Sequence, residues 1–272
     1  MIDDVANVSE CGLDSLIDNA FIVGKFEQFK LELNGKKCHK MHVGKENVFC
    51  PTLKAHEVEM DPVLEEKYLG DIVSYDGKHS KNIKARSSKC IGATVDIMNL
   101  VKLLCLGQYH FKVCVILRQA MLLSMMLQNA ESWLRLTQAD IKQLESTDEI
   151  LLRKILSAPS SSPRCSLYLS LGCIPARFLI KAKRVMFLHY LLKRDRSETI
   201  SQVFWAQVNQ PVKGDWCLVV MEDLEALGLG HLSLKDLEII SKYKMKRVVK
   251  EATRRTAFDY LMKQKETLSK IG

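Results

Sequence analysis

The stretch TQADIKQLESTDEILLRKILSAPSSSP, residues 137–163, predicts a helix with a defined beginning and end. From Ile141 onward its apolar residues recur at the three- and four-residue spacing that places them on one helical face. Thr137, three residues before Asp140, is typical of a helix N-terminus with an acidic first turn. Pro159 cannot continue a helix, so we expect the helix to end before it.

Similar helical patterns lie on both sides of this stretch. No proline occurs between Asp76 and Ala158, and two apolar sets there predict helices that face a core. The first set is Ile83, Ile91, Val95 and Met98, and the second is Phe111, Val115, Leu122 and Met126. Further helices are predicted after Pro175, at residues 216–227, and from about Ser241 after a glycine-rich break.

The first 77 residues have a different pattern. We predict an apolar strand at 2–8, an amphipathic helix at 14–29, and strands at 38–44 and 67–75 joined by a proline-containing loop. The predicted fold class is therefore α+β and predominantly helical, with a small β/α unit followed by helical regions.

The chain has 272 residues, of which 26% are charged and 47% hydrophobic. A chain of this length and composition can bury a core. No apolar run approaches the roughly 18 residues of a membrane span, and the acidic start lacks the basic region of a signal peptide. The nine cysteines include no CxxC pair and lie mostly among apolar residues, which is typical of reduced thiols. We expect a cytoplasmic or nuclear protein with no membrane partner.

Charge is distributed in blocks. Residues 1–77 contain eight basic and fifteen acidic residues, whereas residues 78–118 contain eight basic and one acidic. Residues 177–196 contain seven basic residues and one acidic residue, and residues 242–272 contain ten basic and three acidic residues. Three basic blocks with aromatic residues among them favour a polyanionic partner that is bound through its phosphates.

Motifs of conventional hydrolases and kinases are not found in the sequence. The adjacent carboxylates Asp3 and Asp4 are, taken alone, typical of a solvated chain terminus. The same pair at the end of an apolar strand is also how polymerases hold metal ions, and both interpretations remain open at this point.

The order of motifs resembles the C-terminal half of a non-LTR (LINE-like) retrotransposon reverse transcriptase. MIDD at 1–4 resembles the metal-binding motif of the palm, LELNGKKC at 31–38 resembles the segment that follows, and KYLG at 67–70 resembles the primer grip. The helical sequence from 129 to 184 resembles the region beyond the thumb in such elements. Met1 and Ser170 depart from the family pattern, which has an aromatic and an acidic residue there.

The resemblance implies three domains: a partial palm at 1–77, a thumb-like helical bundle at 78–158 and a helical extension at 159–272. It implies metal binding by Asp3 and Asp4 and a catalytic role for Lys37 in protonating pyrophosphate. The nucleic-acid-binding residues that it implies are Tyr68, Leu69 and Gly70 of the primer grip and Lys78, Lys81, Lys84, Arg86 and Lys89 of the thumb. The implied partner is an RNA or DNA template-primer.

Polymerisation requires two divalent ions held by carboxylates from separate strands. Because the sequence begins at the motif itself, the resemblance implies that the other palm aspartate and the fingers are missing, and that Mg²⁺ is bound only by a complete palm. We therefore expect a chain that is inactive alone but binds RNA or DNA without sequence preference. The alternatives are a non-enzymatic helical module that self-associates or recruits a protein, and an incomplete gene model of an active reverse transcriptase. Translation of the nucleotides upstream of Met1 tests the second alternative, the incomplete gene model.

Overall fold

The computed structural model of the chain describes residues 38–41, 43, 53–55, 58–68, 70–104, 107, 110–134 and 136–270, together with Phe21, Lys25 and Gln28. Those three residues are helical and fall within the helix predicted at 14–29. The rest of that predicted helix and the predicted strand at 2–8 lie outside the described residues.

The described part of the chain is predominantly helical, as predicted, and forms two compact units, Met1–Asn82 and Ile83–Gly272. The first unit contains short strands. Their bounds are β1 (His39–Lys40), β2 (Leu53–Ala55), β3 (Val58–Pro62), β4 (Glu65–Tyr68) and β5 (Asp71–Ser74). Strand β3 lies between β1 and β2, parallel to β1 and antiparallel to β2.

The strand predicted at 67–75 is instead part of a hairpin. Strands β4 and β5 pair antiparallel, with Tyr68 opposite Asp71. Gly70 lies in the turn with a φ of 86°, which glycine adopts without the steric cost that a side chain brings. Asn82 holds this hairpin, because its amide donates to Asp71 at 2.6 Å and its oxygen accepts from the Ile72 backbone at 3.4 Å.

The second unit is built from helices. The first, α1 (Ser80–Leu103), begins in the first unit and is followed by α2 (His110–Leu117), a π-helical segment (Arg118–Leu123) and α3 (Ser124–Met126). A 3-10 turn (Ala130–Ser132) precedes α4 (Gln138–Leu156), α5 (Arg164–Leu171), α6 (Ala176–Leu192), α7 (Thr199–Asn209), α8 (Trp216–Ala226), α9 (Leu234–Ile239) and α10 (Lys242–Ser269). The sequence did not predict α5, α7 or α9.

Helix α4 has the start that the sequence predicts. The Asp140 backbone donates to the Thr137 hydroxyl at 3.1 Å, and the Thr137 backbone donates to the Asp140 carboxylate at 2.9 Å. This capping box satisfies two backbone donors that have no partner within the helix. The helix ends at Leu156, before Pro159, as predicted.

The predicted core-facing residues of α1 and α2 are partly wrong. Ile83 is buried as predicted, but Ile91 and Val95 are nearly half exposed, and Phe111 of α2 is slightly more than half exposed. The buried stripe of α1 instead includes polar or weakly apolar residues that the hydrophobic pattern leaves out. Its members are Ile83, Arg86, Ser87, Cys90, Ala93, Thr94, Ile97 and Val101.

The last helix, α10, is held in place by a large apolar core. Met245, Val249, Ala252 and Ala257 of this helix are buried among apolar side chains of α6, α7, α8 and α9. Before its first residue, Ile240 presents its backbone oxygen to His189 Nε2 at 2.9 Å. The inner face of α10 is thus fixed, and its opposite face is left to solvent.

Candidate nucleic-acid interface

The first basic block begins with two lysines that the resemblance assigns to nucleic-acid binding, and both form ion pairs within the first unit. Lys78 Nζ lies 2.8 Å from Asp76, and Lys81 Nζ lies 2.5 Å from Glu65. Hydrogen bonds from Lys78 and then from Ser74 hold the pKa of Asp76 well below its usual range. Both cations already have a carboxylate partner and are therefore weakened as phosphate contacts.

The position of Arg86 contradicts its assignment to nucleic-acid binding, which was made from the resemblance. Its side chain is buried, with 5% of its surface exposed. Its guanidinium donates to the backbone oxygens of Met125 and Gln128 at 3.1 and 2.9 Å, and lies 5.7 Å from the ring centre of Trp133. The arginine satisfies the carbonyls at the end of a helix rather than facing a phosphate.

The remaining residues assigned from the resemblance are distributed as follows. Lys84 and Lys89 are exposed on α1, Tyr68 is half-buried at the end of β4, and Gly70 is exposed in the hairpin turn. Asp3, Asp4, Lys37 and Leu69 lie outside the described residues. Within the described ranges, no group of three His, Cys, Asp or Glu side chains is arranged to hold a metal ion.

The second basic block, residues 177–196, is largely neutralised by carboxylates from distant parts of the chain. Arg177 binds Glu145 through two hydrogen bonds of 2.6 and 2.8 Å. Hydrogen bonding to Glu145 raises the pKa of Arg177. Lys181 and Arg184 share the buried Asp223, at 2.6 and 2.8 Å. Lys183 pairs with Glu131 and Arg194 with Glu198, so five of the seven cations of this block are paired.

The third basic block is different, because its cations on α10 face solvent. Lys246, Arg247, Lys250 and Arg254, which we call the basic row, are exposed, and none pairs with another described residue. Their spacings of three and four residues make them neighbours on one face of the helix. Glu251 is the only acidic residue between positions 242 and 255, where there are seven lysines and arginines.

Two exposed aromatic residues lie at the ends of the basic row. Tyr243, 81% exposed, precedes it, and Phe258, 54% exposed, follows it. The neighbouring Tyr260 faces inward instead, where its ring packs at 5.3 Å from that of Phe178 and lies under the guanidinium of Arg177 at 4.9 Å. The buried residues Met245, Val249 and Ala252 fix which face of α10 the basic row occupies, because they lie on the other side of the helix.

The sequence identified the charge of the third block but placed no site residue in it. One signal was present: residues 242–250 contain no acidic residue, so the row has no carboxylate within one turn on its N-terminal side. The neutralisation of Arg177 and Lys181 in the second block had no such local signal, because Glu145 and Asp223 lie 32 and 42 residues from them.

No family model, curated protein or solved structure matches this chain. Among the described helices, none is by itself long and apolar enough to cross a membrane; only α5 and α6 taken together, with a bend of 59° between them, satisfy length and composition.

Proposed function

We propose that this chain binds nucleic acid through phosphates, without sequence preference, and that the basic row of α10 is the principal contact surface. The observation that supports this most is the exposure of four adjacent cations with no acidic partner among the described residues. The second basic block is by contrast largely paired, and in the first block Lys78 and Lys81 are paired while Arg86 and Arg118 are buried. A row of unpaired cations on a fixed helix attracts a polyanion and releases its counterions.

The spacing of the basic row suits a phosphate backbone. Lys246, Lys250 and Arg254 lie four residues apart, which is about 6 Å along the helix axis per step. Lysine and arginine donate to phosphate oxygens as charge-assisted hydrogen bonds, the stronger kind. Contacts of this type position a protein on nucleic acid but read no base.

The same proposal includes the relation to non-LTR reverse transcriptases, with a palm-like unit at 1–77, a thumb-like bundle at 78–158 and a helical extension beyond. This part rests on the sequence motifs. In it, Asp3 and Asp4 would bind Mg²⁺ only as part of a complete palm, where the ion supplies charge stabilisation at the reacting phosphate. Lys37 would donate a proton to pyrophosphate, and Tyr68, Leu69 and Gly70 would contact the primer.

Equilibrium binding to a labelled RNA–DNA hybrid tests the main claim. The test variant combines Lys246→Ala, Arg247→Ala, Lys250→Ala and Arg254→Ala, which keep the helix because alanine is the best helix former. The control carries Lys142→Ala, Lys193→Ala, Lys213→Ala and Lys235→Ala, four exposed lysines outside α10. We expect loss of binding in the test variant alone; binding that is equal in both variants would contradict the proposal.

A second candidate function is association through an apolar surface. Ile91 and Val95 lie one turn apart on the outer side of α1, and both are nearly half exposed. Leu103, 80% exposed, ends the same helix. Exposed apolar residues in a row are typical of contact surfaces. Sedimentation over a range of concentrations tests this, and a monomer at all concentrations would exclude self-association.

A further inference from the structure

Within the described part of the chain, the two aromatic side chains beside the basic row make no ring–ring or cation–π contact. Among the exposed aromatic residues of the described chain, Phe21 lies under Lys25, Phe111 contacts His110, and Tyr190 stacks on Phe187 and lies under Arg194. No such contact is found for Tyr243 or Phe258. Apolar ring faces left in water without a partner are available to a ligand that has flat faces of its own.

These rings share the face of the basic row. At 3.6 residues per turn, Tyr243, Phe258 and the four cations fall within a sector of about 120° around α10. The helix advances by 1.5 Å per residue, so the two rings are about 22 Å apart along the axis, with the cations between them. A stacked nucleic-acid strand advances about 3.4 Å per nucleotide, so about seven nucleotide steps span that length.

We propose that α10 binds a single strand of RNA or DNA, with its phosphates on the basic row and one base stacked on each of Tyr243 and Phe258. This inference rests on the proposed function and adds the class of nucleic acid that the surface prefers.

A single strand fits this surface better than a duplex because of the rings. In a duplex the base faces are already stacked on one another, so an aromatic side chain at the helix surface reaches only phosphate and sugar. In a single strand each base has a face that can stack on a tyrosine or phenylalanine ring, whatever its sequence. Cations alone bind both forms, so the rings and the charges make separable contributions.

The test compares binding of an oligothymidylate of about 12 nucleotides, within the site sizes of such surfaces, with a duplex of the same length. The variant is Tyr243→Ala with Phe258→Ala. Phe111→Ala is the matched control, since Phe111 is 52% exposed and lies on a different helix, α2. Thermal unfolding confirms that each variant is folded, and Tyr243→Phe with Phe258→Tyr keeps both rings.

We expect the wild type to prefer the single strand and the double alanine variant to bind it at least roughly tenfold more weakly, with duplex binding unchanged. The ring-retaining variant and Phe111→Ala should bind like the wild type. Equal affinity for both forms, with no effect of the alanines, would overturn the stacking inference but leave phosphate binding by the basic row intact. If the wild type binds neither probe at low salt, the proposed function itself is wrong.

Discussion

Arg118 Nε donates to Asp148 Oδ1 at 2.7 Å, and both side chains are buried in the helical unit. Tyr168 also donates to this carboxylate, at 2.9 Å, and a second arginine nitrogen donates to the backbone oxygen of Ile174 at 3.0 Å. Burial lowers the pKa of Arg118, but the charge of Asp148 and its hydrogen bonds to the arginine, with smaller contributions from Cys173 and Tyr168, together outweigh burial, and the net shift is upward. The pair joins the π-helical segment, α4, α5 and the loop before α6.

Removing the charge of Asp148 should therefore destabilise the protein strongly. In Asp148→Asn the arginine is left buried without its carboxylate, which costs about 3–5 kcal/mol of the free energy of unfolding. Urea denaturation measures this. The control is Glu131→Gln, which breaks the more exposed pair with Lys183 and should cost less than about 1 kcal/mol. Equal losses in the two variants would mean that the buried pair is not a principal contact.

Arg86 should affect stability and not nucleic-acid binding. Its Nη1 nitrogen donates to two backbone oxygens, and in Arg86→Met, which keeps an apolar stem but has no donor, both oxygens lose this partner. We expect a loss of about 1–3 kcal/mol in the free energy of unfolding. Affinity for an RNA–DNA hybrid, measured on the folded fraction, should not change, and weaker binding would restore Arg86 to the interface.

Cys90 should make stability fall at alkaline pH. Burial raises the pKa of its thiol from 9.0 to about 11, and its sulfur lies 3.7 Å from the backbone oxygen of Leu122. The unfolded chain loses this proton at lower pH than the folded chain, so the contribution is full below pH 9 and is lost as pH rises toward 11.

Unfolding free energies at several pH values between 8 and 11 measure this contribution. Cys90→Ala should lower stability at every pH, since it leaves a cavity, but should also reduce the slope over the upper part of that range. A slope identical to that of the wild type would show that the Cys90 thiol does not titrate as its burial implies.

Local features of the fold were predictable from sequence, and long-range pairings were not. Thr137 and Asp140 specify the start of α4 because both halves of the capping box lie within four residues. Arg118 finds its carboxylate 30 residues away, and Arg86 finds its carbonyl partners about 40 residues away. A basic residue of a charged block therefore cannot be assigned to solvent or to the core by its neighbours in sequence.

The candidate site shows the same division. The positive charge of residues 242–272 is evident from the sequence, and so is the lack of acidic residues around Lys246. That the second block is neutralised by Glu145 and Asp223 depends on the packing of α4 and α8 against α6, which periodicity does not reveal. The interface is assigned to α10 because most cations of the second block are paired with carboxylates, whereas within the described chain those of the basic row are not.

The salt dependence of binding tests the central claim most directly. For a single strand, the slope of log affinity against log salt concentration changes by about 0.7 for each phosphate contact. Replacing the four cations of the basic row by alanine should make that slope shallower by about 3, whereas the four-lysine control should keep the wild-type slope. A slope that is unchanged when Lys246, Arg247, Lys250 and Arg254 are removed would contradict the assignment of nucleic-acid binding to α10.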